Sequence, residues 1–407
     1  MIEKIKKFLN YPATLKFYVI YMRIGTPTIE VLIAIWVYLF KYRKFKLMQS
    51  LVAGFKDHRI TFNLTATEYE KLLIRICHAF ILAKKDQQKV DDQYQIGGLY
   101  YKGITTRFKP LTMALNELDL EKLKKILGNF QRSELVRGMG TSGDEYHQAK
   151  KNLFFKYAYI NRWCKYYKKL TDLTSAKTLI SYSLIGNPAG ILIDGSVIHP
   201  ESIRFHYTSQ EICSLLQNII SPVICEIGSG VGGQAYKIIN DLQRQSTYIL
   251  FDLPEILVFA SYFLLMNFPK KKILLYGEGN FNEGTIYDYD IILMPNYKLP
   301  CLQNDSIDLF FNDCSFSEME SNTVREYFKQ IERTCRKYFM HINHTAKFSW
   351  NNDGKITHNL PATEISPDPD RFKKIYQHYR IWRGRPEKLF YAFMKAEHFT
   401  FLYERVK

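Results

Sequence analysis

The sequence predicts an α/β chain: a helical N-terminal part, then a doubly wound, mostly parallel sheet. Three observations carry that expectation. From Ser209 onward, short apolar runs alternate with helical patterns. A glycine run falls between the first apolar run, Val223 to Ile227, and the helix after it. An acid, Asp252, closes the next apolar run 24 residues after Gly228.

Composition sets the outer limits. A chain of 407 residues exceeds one average domain, and 46% hydrophobic with 24% charged residues describes an ample core, which excludes global disorder. Lys and Arg (56) outnumber Asp and Glu (40), a net charge of +16. That excess suits anionic partners: a phosphorylated glycan precursor, nucleic acid or an acidic membrane face. The seven cysteines are scattered and never form a Cys-x-x-Cys pair. They spell neither a disulfide framework nor a zinc ribbon and predict reduced thiols in a cytoplasmic chain.

Half of the net charge lies in residues 1–60, where eleven Lys/Arg face three Asp/Glu. Within that stretch, Val31 to Phe40 is uninterrupted apolar sequence, preceded by Arg23 and followed by Lys41, Arg43, Lys44 and Lys46. It is shorter than the roughly 20 residues of a spanning helix, and basic residues rather than a cleavage site follow it. Residues 1–50 therefore either dock a buried helix onto the body or lie in a membrane interface with basic flanks on anionic lipid.

From 51 to 180 the pattern predicts a helical accessory domain. Thr65 caps a helix running through Glu68, Leu72, Leu73, Ile76 and Phe80. Leu118 to Phe130 repeats the pattern, and Asp144 to Leu170 forms a basic, tyrosine-rich third helix. In it, Lys165 to Lys168 reads as a solvated helix face rather than a nucleic-acid surface. Residues 181–208, punctuated by Gly186-Asn187-Pro188 and Gly190, read as a linker. The ligand-binding domain is placed at 209–407. Its further strand candidates are Thr247 to Phe251, Ile273 to Tyr276, Ile291 to Met294, Ile307 to Phe311 and Phe339 to Ile342, closed by a terminal hairpin of Leu389 to Met394 with Phe399 to Tyr403. Helices are expected at Gln210 to Ile219, around Tyr236 and Ile239, and at Glu255 to Asn267 and Met319 to Arg336.

The strongest local signal is Glu226-Ile227-Gly228-Ser229-Gly230-Val231-Gly232-Gly233. Glycines there let the backbone turn sharply and approach a ligand, while the following helix offers its N–H groups to an anionic end. Dinucleotides and S-adenosylmethionine both use such loops. Glu226, at the strand's carboxyl end, favours the sulfonium compound, because it attracts the cationic methionine end and repels a pyrophosphate. Asp252 can accept from both ribose hydroxyls, a role it would fill equally for a nicotinamide dinucleotide, and it can also cap the next helix before Leu253-Pro254.

With Phe251-Asp252-Leu253-Pro254-Glu255 and Asn312-Asp313-Cys314-Ser315-Phe316-Ser317-Glu318-Met319 added, the chain resembles the bacterial sugar O-methyltransferases, a group within the class I S-adenosylmethionine-dependent methyltransferases. The likeness spans about residues 180 to 407, including Arg204-Phe205-His206-Tyr207 and Leu402-Tyr403-Glu404-Arg405. It implies a Rossmann-like, seven-stranded sheet with a reversed last strand. It also implies cofactor held by Gly228, Gly230, Gly232 and Asp252, with Glu226, Ser229 and Leu253 beside them. Val231 stands where relatives commonly carry an aromatic residue.

Asn296, at the tip of the candidate third strand, is placed to pair its amide with an adenine ring nitrogen, with Glu278 as competitor. Asn312, Asp313, Ser315 and Glu318 emerge after the fourth strand at the ligand-binding edge, Asn312 toward the cofactor, Asp313 and Glu318 toward the chemistry. Glu318 can alternatively cap the next helix. Methyl transfer to a hydroxyl calls for alignment and a general base. His344, ending the fifth strand, is the candidate base; His341 faces the other way, and His206 could reach in from the linker. No ligand spacing marks a metal site. Acceptor recognition falls to the helical half and to the loop Thr345 to Arg371.

The leading expectation is thus an S-adenosylmethionine-dependent O-methyltransferase acting on a sugar hydroxyl of a surface-glycan precursor, in the cytoplasm or peripherally at the cytoplasmic membrane face. The alternatives are an NAD-dependent oxidoreductase, a non-catalytic membrane-associated module with a vestigial cofactor fold, and RNA methylation.

Overall fold

The computed structural model describes residues 64–141, 181–193, 196–198, 201–282, 284–379 and 398–406. The basic segment 1–50, Val31 to Phe40 within it, the stretch 144–170 expected as a third helix and the run Leu389 to Met394 all lie outside the described residues. Among the described residues no helix is long and apolar enough to cross a membrane.

Helix α1 (Ala66–Gln87) starts where the sequence places it, with Thr65 and Glu68 closing a reciprocal capping box. Its buried stripe of Leu73, Ile76, Cys77, Phe80 and Ala83 follows the three-and-four spacing. After a series of short turns come α2 (Lys109–Asn116) and α3 (Leu120–Leu127). Leu118 adopts φ 55°, so α3 begins only after Asp119, whose carboxylate caps it.

The segment expected as a linker is built into the body. A small hairpin, β1 (Ile191–Ile193) with β2 (Ser196–Ile198), precedes α4 (Ser202–Leu216), which starts eight residues before Gln210 and crosses the expected boundary at 208. Arg132 donates to the carbonyls of Asn187 and Pro188, so the Gly186-Asn187-Pro188 turn is buried against the helical part. One apolar core joins Leu73, Phe108, Leu111 and Phe130 to Phe259, Phe263 and the sheet residues Leu250 and Leu309. The helices therefore cover the sheet instead of standing apart from it.

The sheet strands are β3 (Val223–Ile227), β4 (Thr247–Asp252), β5 (Ile273–Leu275), β6 (Ile291–Pro295), β7 (Ile307–Asp313), β8 (Cys335–His344), β11 (Phe372–Tyr379) and β12 (His398–Arg405). Between β8 and β11 lies a separate hairpin, β9 (Ser349–Asn352) with β10 (Lys355–His358). Helices α5 (Gly233–Leu242), α6 (Pro254–Asn267) and α7 (Ser321–Thr334) make the crossovers. The order is β11-β12-β8-β7-β3-β4-β6-β5, parallel except for β12, which runs antiparallel to both β8 and β11. This is the Rossmann-like, doubly wound fold of class I methyltransferases, reversed last strand included. The count differs from the implied seven: β5 adds an eighth, edge strand beside β6. That edge is covered by α1, from which Arg75 donates to the Ile273 carbonyl and pairs with Glu278.

In the C-terminal region β12 is paired by β8 on one side and by β11 on the other, while Leu389 to Met394, its expected hairpin partner, lies outside the described residues. The loop expected at Thr345 to Arg371 holds the β9–β10 hairpin, whose turn residues Asp353 and Gly354 both take positive φ. Helix α6, apolar all round, is buried along nearly its whole length between the sheet and α1.

Candidate cofactor and acceptor cleft

Strand β3 pairs in parallel with both β4 and β7, so the chain reverses its winding direction there and opens a crevice at the strands' carboxyl ends. A cleft enclosing about 1110 Å³, part of it open to solvent, lies over this point.

Its floor is the glycine loop. Gly228, Gly230 and Gly232 adopt φ of 75°, 53° and 79°, a region L side chains rarely enter. A Cβ at Gly228 would overlap Ser315 Oγ, so the turn also brings β3 against the residues after β7. Gly228 and Gly230 line the cleft with Ser229. Gly232 does not: it leads into α5 and faces Leu264 and Ala260 of α6, so its role is close helix packing. Val231 is buried in the core.

Asp252 lies beneath the loop. One carboxylate oxygen accepts from Gly230 N at 2.8 Å, the other from Leu253 N at 2.7 Å. The N-cap of α6 is Leu253, so Asp252 ties the glycine loop to β4 instead of capping the helix. Burial pushes its pKa up to about 7, against the pull of those two N–H groups. Glu226, at the end of β3, is buried and accepts from the Tyr248 hydroxyl at 2.8 Å; burial drives its pKa up to about 8. Leu253 also lines the cleft.

At the tip of β6, Asn296 donates its amide to the Tyr94 carbonyl (3.0 Å) and the Tyr327 hydroxyl (2.9 Å). Its Oδ1 is buried and has no partner. The Tyr94 carbonyl fixes this orientation, since a flipped amide would set two acceptors face to face. The atom available to a ligand is therefore an acceptor, not the donor expected from sequence. Glu278, the competing residue, is engaged with Arg75 and the Leu275 amide and does not line the cleft.

Beyond β7 the expected residues divide. Asp313 lines the cleft and pairs with Arg204 of α4, which also pairs with Glu201. Glu318 lines it from the short turn Phe316–Glu318; α7 begins later, at Ser321, with Glu320 at its N-cap, so Glu318 does not cap that helix. Asn312 is fully buried, its amide donating to the Ile227 carbonyl and to Ser315, and it is outside the cleft lining. His344 is outside it too, set against Phe348 and His398 on the β12 side. His341 is stacked on Phe401, with its pKa pushed down to about 3 by burial. His206 sits by Lys237 and Asp241, away from the cleft, and burial lowers its pKa.

Sequence reasoning did not single out Tyr100, Met139, Gln234 or Tyr327, which complete the lining from the helical part, α5 and α7. Tyr327 follows the α7 periodicity but reads as core; Tyr100 and Met139 come from turns that carry no pattern. Arg204 was visible only as part of a motif.

The unpartnered polar lining fits an adenosyl compound. Ser229 Oγ, Gln234 Oε1 and Asn296 Oδ1 are buried in the lining without partners, and Gly228 and Gly230 form a cradle no side chain fills. No family model matches the chain, and no curated protein does. Among solved structures, the magnesium protoporphyrin IX methyltransferase of Synechocystis PCC 6803 with bound SAH aligns at 10% identity and TM-score 0.32, over 50% of this chain and 84% of that one. A SAM-dependent methyltransferase from Aquifex aeolicus aligns at 10% identity and TM-score 0.31, over 51% and 94%. A Haemonchus contortus phosphoethanolamine N-methyltransferase aligns at 10% and 0.35, over 59% of each chain.

Proposed function

We propose that the cleft binds S-adenosylmethionine and that the chain methylates a hydroxyl of a sugar in a surface-glycan precursor. One relation carries the cofactor reading: Asp252 holds the glycine loop at Gly230, and Asn296 Oδ1 waits as an acceptor at the end of the neighbouring strand β6. A carboxylate beyond its two N–H bonds still has lone pairs for two ribose hydroxyls, and a buried amide oxygen suits an exocyclic amino group. Glu226 would meet the methionine ammonium, and Arg204 its carboxylate.

When bound, the sulfonium supplies an electrophilic methyl group and a neutral leaving sulfur. The chain's own task is then alignment of the acceptor oxygen, with a carboxylate to take its proton. Glu318 lines the cleft for that role, whereas Asp313 is committed to Arg204. The sugar rests on the motif resemblance. Contact of residues 1–50 with anionic lipid and a cytoplasmic location belong to the same reading, supported by the basic excess of the first 60 residues.

Calorimetry with S-adenosylmethionine on the full chain and on Asp252→Ala tests the cofactor. Binding by the wild type, weakened at least about tenfold in the variant by roughly 1.4 kcal/mol, is expected. Absence of wild-type binding overturns the proposal.

A further inference from the structure

The sign of the charge reverses between the molecule and its cleft. The chain carries +16, yet its cleft is lined by Asp313, Glu318 and Glu320, and by Glu226 and Asp252, whose carboxyls burial holds toward the protonated form until a cation meets them, against one cation among the described residues, Arg204. That guanidinium is already shared between Glu201 and Asp313. Among the described residues no lysine or histidine lines it. Two of the three partnerless lining atoms lean the same way: Gln234 Oε1 and Asn296 Oδ1 can only accept, both on residues more than nine-tenths buried, while Ser229 Oγ can do either. A ligand rich in hydrogen-bond donors satisfies such a surface; one that brings further negative charge does not.

Under the methyl-transfer reading, on which this inference rests, the cofactor would be held by Glu226, Asp252, Asn296 and Arg204. With Asp313 paired to Arg204, Glu318 and Glu320 are the lining carboxylates left for the acceptor. Glu320 is approached by Gly98 N at 3.4 Å and Lys355 Nζ at 3.6 Å, which leaves it partly compensated. Glu318 faces Tyr100, whose hydroxyl hydrogen-bonds it; burial and that neighbouring carboxylate hold the phenol well above its usual range, so it remains a donor. Tyr100 and Gly98 belong to a turn pinned from outside by the β9–β10 hairpin, through Tyr101 to Asp353 (2.6 Å) and Asn352 to the Gly98 carbonyl (3.1 Å). Glu318 is thereby tied, through Tyr100, to a braced turn.

We propose that the acceptor end of this cleft takes a non-anionic compound presenting hydroxyl or ammonium groups, received by Glu318, and rejects one bearing phosphate at the reacting end. The overall basic charge then serves steering or surface attachment and says nothing of the acceptor's own charge. A phosphate set beside these carboxylates is expected to weaken acceptor use about 100-fold or more, since like charges in contact cost several factors of ten.

The test uses the full chain, methyl-labelled S-adenosylmethionine and an extract of the source cells, with labelled products passed over an anion exchanger before and after phosphomonoesterase. Label in products that the exchanger does not retain supports the proposal. Label confined to retained products, whether or not phosphatase releases them, overturns it. In parallel, Glu318→Gln and Glu318→Lys are measured for S-adenosylhomocysteine affinity, melting temperature and transfer rate. Affinity and melting within about threefold and 2 °C of wild type, with the rate down at least tenfold in Glu318→Gln and lost in Glu318→Lys, is expected. A Glu318→Lys chain that transfers as fast as wild type overturns the proposal. Failure of the wild type to bind S-adenosylhomocysteine instead strikes the cofactor reading beneath it.

Discussion

Arg204 of α4 and Asp313 at the end of β7 form an ion pair in the lining of the cleft, with side-chain exposures of only 10% and 6%. The same guanidinium pairs with Glu201. Burial alone would lower the arginine's pKa, but the two carboxylates outweigh it and keep the group charged. Replacing Arg204 by Met leaves both carboxylates without their cation, one of them buried, and is expected to cost about 3–5 kcal/mol in urea unfolding. Arg204→Lys keeps the charge but loses the planar fork, so an intermediate loss is expected. A Met variant that unfolds at the wild-type urea concentration would show that the pair contributes nothing.

Gly228 is doubly constrained, by its φ of 75° and by Ser315 Oγ where a Cβ would stand. Gly228→Ala is expected to destabilise the fold by about 2 kcal/mol or more and to abolish S-adenosylhomocysteine binding. Adding Ser315→Gly removes the overlap but not the backbone strain. The double variant should therefore recover part of the stability, measured by urea unfolding, and full recovery would refute the strain argument.

The parts of this structure legible in the sequence are those whose pattern is local. Strands β3 and β4 are buried on both faces and read as continuous apolar runs; the Thr65–Glu68 box marks the start of α1 within three residues. The start of α4 was hidden because Ser202, Arg204 and His206 are polar, and Arg204 is buried by a partner 109 positions away. Strand β11 exposes Lys373, Lys374 and Ile375 and looks like loop until β12 pairs with it. At the site, the strand ends could be placed but not the directions of their side chains. His344 and Asn312 both stand at the expected edge, yet the β8–β12 register turns one toward His398 and the Ile227 carbonyl claims the other. The Asp353-Gly354 turn was the reverse case, a local hairpin signal inside a stretch whose polarity suggested a loop.

Because Asn296 offers Oδ1 and keeps its amide for Tyr94 and Tyr327, the cleft should select an amino group at the purine's six position. The inosine analogue of S-adenosylhomocysteine presents a carbonyl there, acceptor against acceptor, and is expected to bind about 10- to 100-fold more weakly. Asn296→Ala should erase most of that preference. Equal binding of the two ligands by the wild type, measured calorimetrically, would remove Asn296 from the adenine's surroundings.

Glu226 gives the fold a pH dependence whose sign can be worked out. Its carboxyl is pushed up to about 8 by burial, against 4.5 for the unconstrained group. Below about 4.5 both native and unfolded chains hold the proton, so this group leaves stability unaffected. Between that pH and about 8 the unfolded chain has lost the proton while the native chain retains it, and stability falls as pH rises. Asp252, pushed up to about 7, acts in the same direction and is common to wild type and a Glu226→Gln variant. Gln can still accept the Tyr248 hydroxyl that Glu226 accepts at 2.8 Å, so the variant isolates the charge. The two proteins should melt together at pH 4.5, and Glu226→Gln should melt about 3 °C or more above wild type at pH 8.5, where each kcal/mol moves the midpoint by a few degrees. The bound cofactor should reverse the order, because a cation beside Glu226 favours its ionised form and the neutral amide cannot answer it. A constant offset between the two melting curves across pH, with or without S-adenosylmethionine, would mean that Glu226 is already ionised in the native chain.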